Sequence, residues 1–313
     1  PSTDPFTVFL KSCDVRSRAT MTARLNAAAR ILQPGSSAER YPWASLDHIA
    51  VIHVLDRLAA AKASPSTRNL TRAALRKIAK VLFGMRLLSI DERQRIDDVS
   101  PARGKPLPRG RALSSREIRK LFAVCAKDET AAGRRDAALI AVMFGGGLRR
   151  DEVSKLDMAD FDESGNLRVE GKGNKESLQP IVPEVVQAVR AWLAVRGKVS
   201  GEDAEALFVV IGKSGKVGKR RLDGKAIAWK VARRAEAAGI EPMAKDARGR
   251  QHLVSPHDLR RSFVTSLLEL GEDLSTVAKA ARHASVATSA IYDRRDERKV
   301  AEAVAKLHVP VGR

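Results

Sequence analysis

The chain has little of several things that would have narrowed its chemistry in other directions. Of its 313 residues only two are cysteines, Cys13 and Cys125, too few for a disulfide framework, and both read as reduced thiols. The longest nearly uninterrupted apolar run, Ala137–Leu148, spans 12 residues and includes three glycines, too short to cross a bilayer. His252 and His257 stand five positions apart with no cysteine or carboxylate cluster at ligand spacing, so no metal site is expected. A GxxxxGK[ST] loop for nucleotide phosphates is missing as well, and the expected chemistry uses no cofactor. Nothing after Pro1 reads as a secretory leader, and the start without Met reads as that of a trimmed chain or of a fragment. The expected compartment is the cytoplasm.

Acids are scarce beside bases. There are 57 Lys+Arg against 37 Asp+Glu, a formal net charge of +20 and a pI near 10.4, so an acidic polymer is the natural partner. The excess is densest in residues 101–113, which hold four cations, Arg103, Lys105, Arg109 and Arg111, and no acid. That stretch also carries prolines and glycines that bar a helix or a central strand. It reads as a linker crossing a phosphate backbone, with a helical DNA-binding domain over residues 1–100 before it and a larger domain over 114–313 after it.

Helical periodicity dominates the first domain. Met21, Leu25, Ala28 and Leu32 share one face, and a second helix from about Ala44 to Lys62 carries Ile49, Ile52, Val54, Leu55 and Leu58. From Thr67 onward Arg68, Arg72, Arg76 and Lys80 recur every four residues opposite a core stripe of Leu75, Ile78 and Leu82. No acid is interleaved among these cations, and the stripe is expected to face DNA.

The second domain is mixed. Ser114-Ser-Arg-Glu117 is a capping box opening a helix with Ile118, Leu121, Phe122 and Cys125 on its apolar stripe. Asp162–Asn166 reads as a turn, Leu167–Glu170 and Ser177–Val182 as short strands, and Gly171–Asn174 as a hairpin tip. Further helices are expected around Val185, Val189 and Trp192, across Ala226–Ala238, and at Phe263, Val264, Leu267 and Leu268, with Glu241–Leu253 a polar connection. The expected fold is mainly α with a small antiparallel β-sheet in the C-terminal domain.

Between Arg149 and Tyr292 stand residue types suited to metal-free attack on a phosphodiester: Arg149, Lys172, His257, Arg260, His283 and Tyr292. As a nucleophile adds, negative charge grows on the non-bridging oxygens, and guanidinium forks and imidazoles can meet it. A tyrosine hydroxyl, with a pKa of about 10, attacks well only if cations or a base favour its phenolate. The departing alkoxide needs a proton, which a lysine on a hairpin tip can deliver. Tyr41, the other tyrosine, precedes the linker.

Here the residues resemble a known family. Phe144-Gly-Gly-Gly-Leu-Arg-Arg-Asp-Glu-Val153 is similar to the Gly-Leu-Arg-x-x-Glu box of tyrosine recombinases, and Gly171-Lys-Gly-Asn-Lys-Glu176 to their hairpin lysine motif. His257-Asp-Leu-Arg260 matches the His-x-x-Arg box, and His283 precedes Tyr292 by nine positions, as in Xer-type recombinases and many integrases. The resemblance covers about two thirds of the chain, from near Ser114 onward. It implies that Arg149 and Arg260 hold the scissile phosphate, that Lys172 protonates the leaving 5′ hydroxyl, and that His257 acts as acid and base. It also implies that His283 hydrogen-bonds the phosphate and that Tyr292 forms a 3′-phosphotyrosine. Glu152 would either orient the site from behind or stand as an exposed helical Glu. Two positions depart from the pattern: Arg261 stands where His often follows the box, and Arg282 replaces the usual Gly before the second histidine.

The activity this implies is site-specific recombination of double-stranded DNA by a homotetramer on two sites, with accessory proteins as further partners and no membrane. The same chemistry would serve a type IB-like topoisomerase or a hairpin-forming resolvase. A catalytically inactive DNA-binding accessory protein is a third reading, against which the intact set of six residues argues.

Overall fold

The computed structural model describes residues 4–104, 110–162, 164–171, 176–242 and 251–283. It divides into two compact units, Pro1–Pro108 and Arg109–Arg313, parted inside the Pro/Gly-rich stretch.

The first unit is helical: α1 (Pro5–Ser12), α2 (Val15–Leu32), α3 (His48–Ala60), α4 (Pro65–Gly84) and α5 (Ile90–Asp98). Side chains of Asp4, Asp47, Ser64 and Ser89 accept from first-turn backbone N–H groups and so set where four of these helices begin. Helix α4 is the spine and contacts the other four. Its Leu75, Ile78 and Leu82 are wholly buried in a core with Phe9, Leu25, Trp43, Val51, Val54 and Ile96. The expected second helix is corrected at its start and on its face. Residues 43–45 form a separate 3-10 turn that buries Trp43, and Asp47 caps the helix that follows. Within α3, Val51 and Val54 face the core while Ile49 and Ile52 are 64% and 42% exposed. Four consecutive apolar residues, Ile49 to Ile52, mark no face by themselves.

The second unit opens with α6 (Ser115–Lys127), where Ser114 and Glu117 form the reciprocal capping box. Its Ile118, Leu121 and Cys125 are buried, and both cysteines of the chain are free thiols. Next come α7 (Ala131–Gly145) and the single turn α8 (Arg150–Val153). An antiparallel sheet of β1 (Phe161–Asp162), β2 (Asn166–Glu170) and β3 (Glu176–Pro180) follows, with Arg168 paired to Leu178 and Glu170 to Glu176. That register makes residues 171–175 the connection between β2 and β3. Helix α9 (Pro183–Arg196) leads to a second antiparallel pair, β4 (Val209–Ile211) and β5 (Val217–Arg221). Helices α10 (Gly224–Ala237), α11 (Pro256–Glu269) and α12 (Leu274–Ala280) complete the described elements.

Helix α7 is the spine of this unit and packs against α6, α9, α10 and α11. Its Ala138 to Met143 are buried continuously, so the apolar run in the sequence is a core helix. A charged network crosses this core. Arg135, with no exposed surface, donates to Asp136 Oδ1 through Nε (3.0 Å) and Nη2 (2.8 Å). Arg234 of α10 donates to Asp136 Oδ2 (2.8 Å) and Asp128 Oδ2 (2.5 Å). Removing one partner of such a buried pair typically costs about 3–5 kcal/mol because the other charge is stranded, so the network fixes how α10 lies on α7. The mainly helical fold with small antiparallel sheets is as expected; strand β1, the β4–β5 pair and helices α1, α5, α7, α8 and α12 are additions. No helix among the described residues is long and apolar enough to cross a membrane.

Candidate active site

Helix α7 ends in Gly145-Gly-Gly147, and the turn leaves no room for side chains. Gly147 has φ +61, and a Cβ there would lie 2.5 Å from the Phe263 ring of α11. The chain emerges at Arg149, the residue that caps α8. Glu152, at the third helical position, accepts from the Arg149 backbone N–H (2.9 Å, Oε2) and from its guanidinium Nη1 (2.6 Å, Oε1). Arg149 Nη2 donates to the carbonyl of Arg282 (3.0 Å). The Arg149 side chain remains 45% exposed while that of Glu152 is 8% exposed, so a solvent-facing cation is steered by a buried carboxylate.

Helix α11 brings the His-x-x-Arg box. Pro256 occupies its first turn, and the Asp258 carboxylate accepts from the Ser255 backbone N–H (2.9 Å) and hydroxyl (2.8 Å). His257 is exposed on that turn, and Arg260, one turn on, is buried. The Arg260 guanidinium donates to the carbonyls of Gly147 and Ala281. It therefore ties the glycine turn and the end of α12 to α11.

Beyond α12 the chain closes with a Schellman turn. The N–H of His283 donates to Ala278 O (2.9 Å) and that of Arg282 to Lys279 O (2.9 Å). Arg282 takes the left-handed position, φ +51, which explains why glycine suits it. The turn keeps its geometry with an arginine there, and His283 is delivered half-buried beside the other cations.

Electrostatics bear on the two imidazoles in the same direction. Burial first, then Arg260, Arg149, His257 and Arg282, push His283 down to about 4. His257, although exposed at its outer side, is lowered too, first by partial loss of water around its ring and then by Arg261, with Arg260 and Arg149 adding to it against Asp258. Both rings are therefore neutral at pH 7, each able to donate through one nitrogen and accept through the other. Glu152, although buried, is held below the usual carboxylate range by Arg282 and by its bonds from Arg149.

Arg149, Glu152, His257, Arg260 and His283 are thus brought together, with chemistry fit for an oxyanion: fixed guanidinium and neutral imidazole donors. Lys172 and Tyr292 lie outside the described residues. Gln179 of β3 joins them without any signal in the sequence: its side-chain oxygen accepts from Arg282, and no local pattern marks it.

The expected polyanion contacts fare unevenly. Arg72 donates to the carbonyls of Val99 and of Asp97 (3.3 Å), and Arg76 to the Asp97 carboxylate (2.7 Å). Arg68 is half-buried beside a small cavity with Ile52, Asn69 and Val99. Lys80 is exposed. Arg103 is exposed, whereas Arg111 forms a two-pronged pair with Glu117 and holds that carboxyl down to about 2. Lys105 and Arg109 lie outside the described residues. A cationic surface not expected from helical periodicity is the β4–β5 hairpin with the start of α10: Lys213, Lys216, Lys219, Arg220 and Lys225 are all exposed. Six cations against one acid between Lys213 and Lys225 are its signal in the sequence. Its foot is fixed beside α8, because Arg221 donates to the carbonyls of Ser154 (3.3 Å) and Leu156 (3.0 Å). A Cβ on Gly224 would come within 2.9 Å of Arg150 Nε.

Residues 111–299 match the model of the phage integrase family. The chain is 31% identical over 284 residues to tyrosine recombinase XerC of Chromohalobacter salexigens, covering 91% of this chain and 87% of that protein. To tyrosine recombinase XerD of Caulobacter vibrioides it is 32% identical, over 80% of this chain and 77% of the relative. Among solved structures, XerH site-specific recombinase bound to palindromic difH substrate superposes with a TM-score of 0.62 at 22% identity, covering 92% of this chain and 76% of that one. A lambda integrase dimer bound to a COC′ core site gives 0.65 at 13% identity, covering 98% and 79%. These two likenesses concern the fold.

The histidine environment predicts a titration. In the free protein His283 should titrate near 4 rather than 6.5. Its neutral form contributes stability that is present above about 6.5 and is lost as pH falls through about 4. Arg149→Gln, which removes one of the cations responsible, should raise that midpoint in an NMR titration of the imidazole. A midpoint near 6.5 in the unaltered protein would mean that burial and cations do not act on this ring.

Proposed function

Because this chain belongs to the phage integrase family and is a site-specific DNA recombinase of the tyrosine type, we propose that Arg149, His257, Arg260 and His283 surround its scissile phosphate and that Tyr292 attacks it. The observation that carries this reading is the convergence of these four donors from three separate stretches of chain, with Glu152 steering Arg149 from behind.

In the proposed reaction the Tyr292 oxygen bonds to phosphorus while the bond to the 5′ oxygen breaks. The phenol proton passes to His257, which can accept it because its lowered pKa leaves it neutral. The 5′ oxygen leaves with a proton from the Lys172 ammonium, and the 3′-phosphotyrosine retains the bond energy. Arg149 and Arg260 meet the charge growing on the non-bridging oxygens. Arg260 is anchored on two carbonyls and needs no reorganisation as that charge develops. His283, neutral, donates a hydrogen bond to the same phosphate. A 5′ hydroxyl from the second site then reverses the sequence, joining new partners without ATP. Relatives matched over most of both chains favour strand exchange over relaxation by a topoisomerase or closure by a resolvase.

Double-stranded recombination sites are the proposed substrate. Lys80, Arg103 and the β4–β5 cations suit its backbone, with Arg68, Lys105 and Arg109 as further contacts. Arg72, Arg76 and Arg111 serve chiefly to hold their own units together, given their internal partners. The proposed working form is a homotetramer on two sites, joined by accessory proteins. Val300, Val304 and Leu307 recur at i, i+4 and i+7 beyond the polar run 293–299, a narrow apolar stripe that would dock the tail on a neighbouring subunit; this tail lies outside the described residues. In this proposal residues 1–100 hold DNA contacts, 101–113 form a cationic linker and 114–313 carry the chemistry.

On a nicked suicide substrate, Tyr292→Phe should form no detergent-stable protein–DNA adduct while still binding the site. Arg149→Ala should slow adduct formation by roughly 100-fold, as for loss of a preorganised transition-state donor, with a much smaller loss of affinity. An adduct with Tyr292→Phe, or equal losses in binding and cleavage for Arg149→Ala, would overturn the assignments.

Replacing Lys213, Lys216, Lys219 and Arg220 together by Gln should reduce the slope of log K against log salt by roughly 0.9 for each phosphate that is no longer neutralised. Arg72→Gln with Arg76→Gln should lower resistance to urea and leave that slope nearly unchanged. The opposite pattern would return the α4 stripe to the DNA face.

Deleting residues 298–313 should leave binding to one site intact and abolish the complex that joins two sites in native gels. Normal pairing of sites by the truncated protein would show that the tail covers only its own subunit.

A further inference from the structure

We infer that Arg282 is a positioning residue for recombination, holding Arg149 in place through its own carbonyl and through Glu152. The inference rests on the reading of Arg149 as a phosphate donor and goes beyond it, since Arg282 occupies a position where the turn asks only for glycine.

Arg282 touches the Arg149 guanidinium by two routes. Its main-chain oxygen accepts directly from Arg149 Nη2 at 3.0 Å. Its side chain, 15% exposed, reaches back so that Nη2 lies 2.7 Å from Glu152 Oε2. Glu152 binds the Arg149 guanidinium through its other oxygen, Oε1, at 2.6 Å. The carboxylate is therefore gripped on both sides, and its freedom to turn, and to let Arg149 turn with it, is removed. Arg282 Nη1 donates in addition to Gln179 Oε1 on β3, which is itself 4% exposed. One side chain thereby joins the end of α12, the α8 turn and strand β3.

The charge balance points the same way. Arg149 and Glu152 alone form a pair with no net charge, a weak attractor for a phosphodiester. With Arg282 added the cluster carries one net positive charge, so Glu152 can orient Arg149 without cancelling it. Among the described residues, the charged groups facing the Glu152 carboxylate are Arg149 from its own turn and Arg282 from beyond α12; the neighbour from β3, Gln179, is uncharged. A left-handed residue with a Cβ is disfavoured beside glycine. The side-chain contacts are what this chain gains there.

The test compares Arg282→Gly, Arg282→Lys, Arg149→Ala and the unaltered full-length protein for DNA affinity and for the rate of adduct formation on a nicked substrate. Glycine fits the turn, so Arg282→Gly should fold, as thermal unfolding will verify. Its cleavage rate should fall by roughly tenfold or more, the usual effect of removing a partner behind a reactive group, with affinity nearly unchanged. The acid limb of its pH–rate profile should move to higher pH, because Glu152 loses one of the cations that keep it ionised. Lysine, a point charge without the planar fork, should restore part of the rate. Cleavage by Arg282→Gly at the unaltered rate, or an affinity loss matching the rate loss, would overturn the inference while leaving Arg149 in its role if Arg149→Ala is inactive. Normal cleavage by Arg149→Ala would instead overturn the reading on which the inference rests.

Discussion

A guanidinium buried to 3% exposure, that of Arg260, holds the site together by donating to the carbonyls of Gly147 and Ala281. Burying a cation is costly unless its donors are matched, so these carbonyls must stay where they are. One belongs to the turn that presents Arg149, and the other lies two residues before His283. Arg260 itself stands one turn after His257 on α11. A single buried charge thus forces the glycine turn, the start of α11 and the end of α12 into register. The close approach of Gly147 to the Phe263 ring shows how little slack remains.

The grouping that results concentrates like charge. Arg149 and Arg260 bear on both histidines, and Arg282 on His283 as well; with burial as the largest cause, His283 is driven down to about 4. Glu152 is the carboxylate that two of these cations share, and it stays ionised despite its burial. Such a cluster is strained in the absence of an anion and is relieved by one. Donors held in advance against their own repulsion need no rearrangement when charge appears on a phosphate, which is the physical content of preorganisation.

The N-terminal unit shows how a charge pattern acquires a different meaning once folded. Along α4 the cations at four-residue intervals have no acid among them, and read in one dimension they face solvent or a polyanion. In three dimensions Asp97 and the carbonyl of Val99 arrive from α5 and its end to occupy Arg72 and Arg76. Among the described residues a denser exposed basic surface lies on the β4–β5 hairpin, whose strands of three and five residues are too short to announce themselves. Its foot stands against α8, whose Arg150 follows the residue proposed to meet the phosphate in the chain.

By itself the sequence determined whatever depends on neighbours in the chain. The capping box at Ser114 and Glu117, the core stripe of α4, the β2–β3 pairing around the glycine-rich tip and the order of the six chemical residues were all legible, because helical period, strand alternation and turn preference act over a few residues. Even the oddity of Arg282 was visible as a departure from glycine. Tertiary structure alone decided what that arginine does: its carboxylate partner lies 130 residues earlier in the chain, and no local preference encodes a meeting at that separation. The exposure of Ile49, the occupation of Arg76 by Asp97 and the anchoring of Arg260 were settled in the same way. Each depends on which surfaces the packed core leaves adjacent, and that is a property of the whole unit's burial rather than of any segment's pattern.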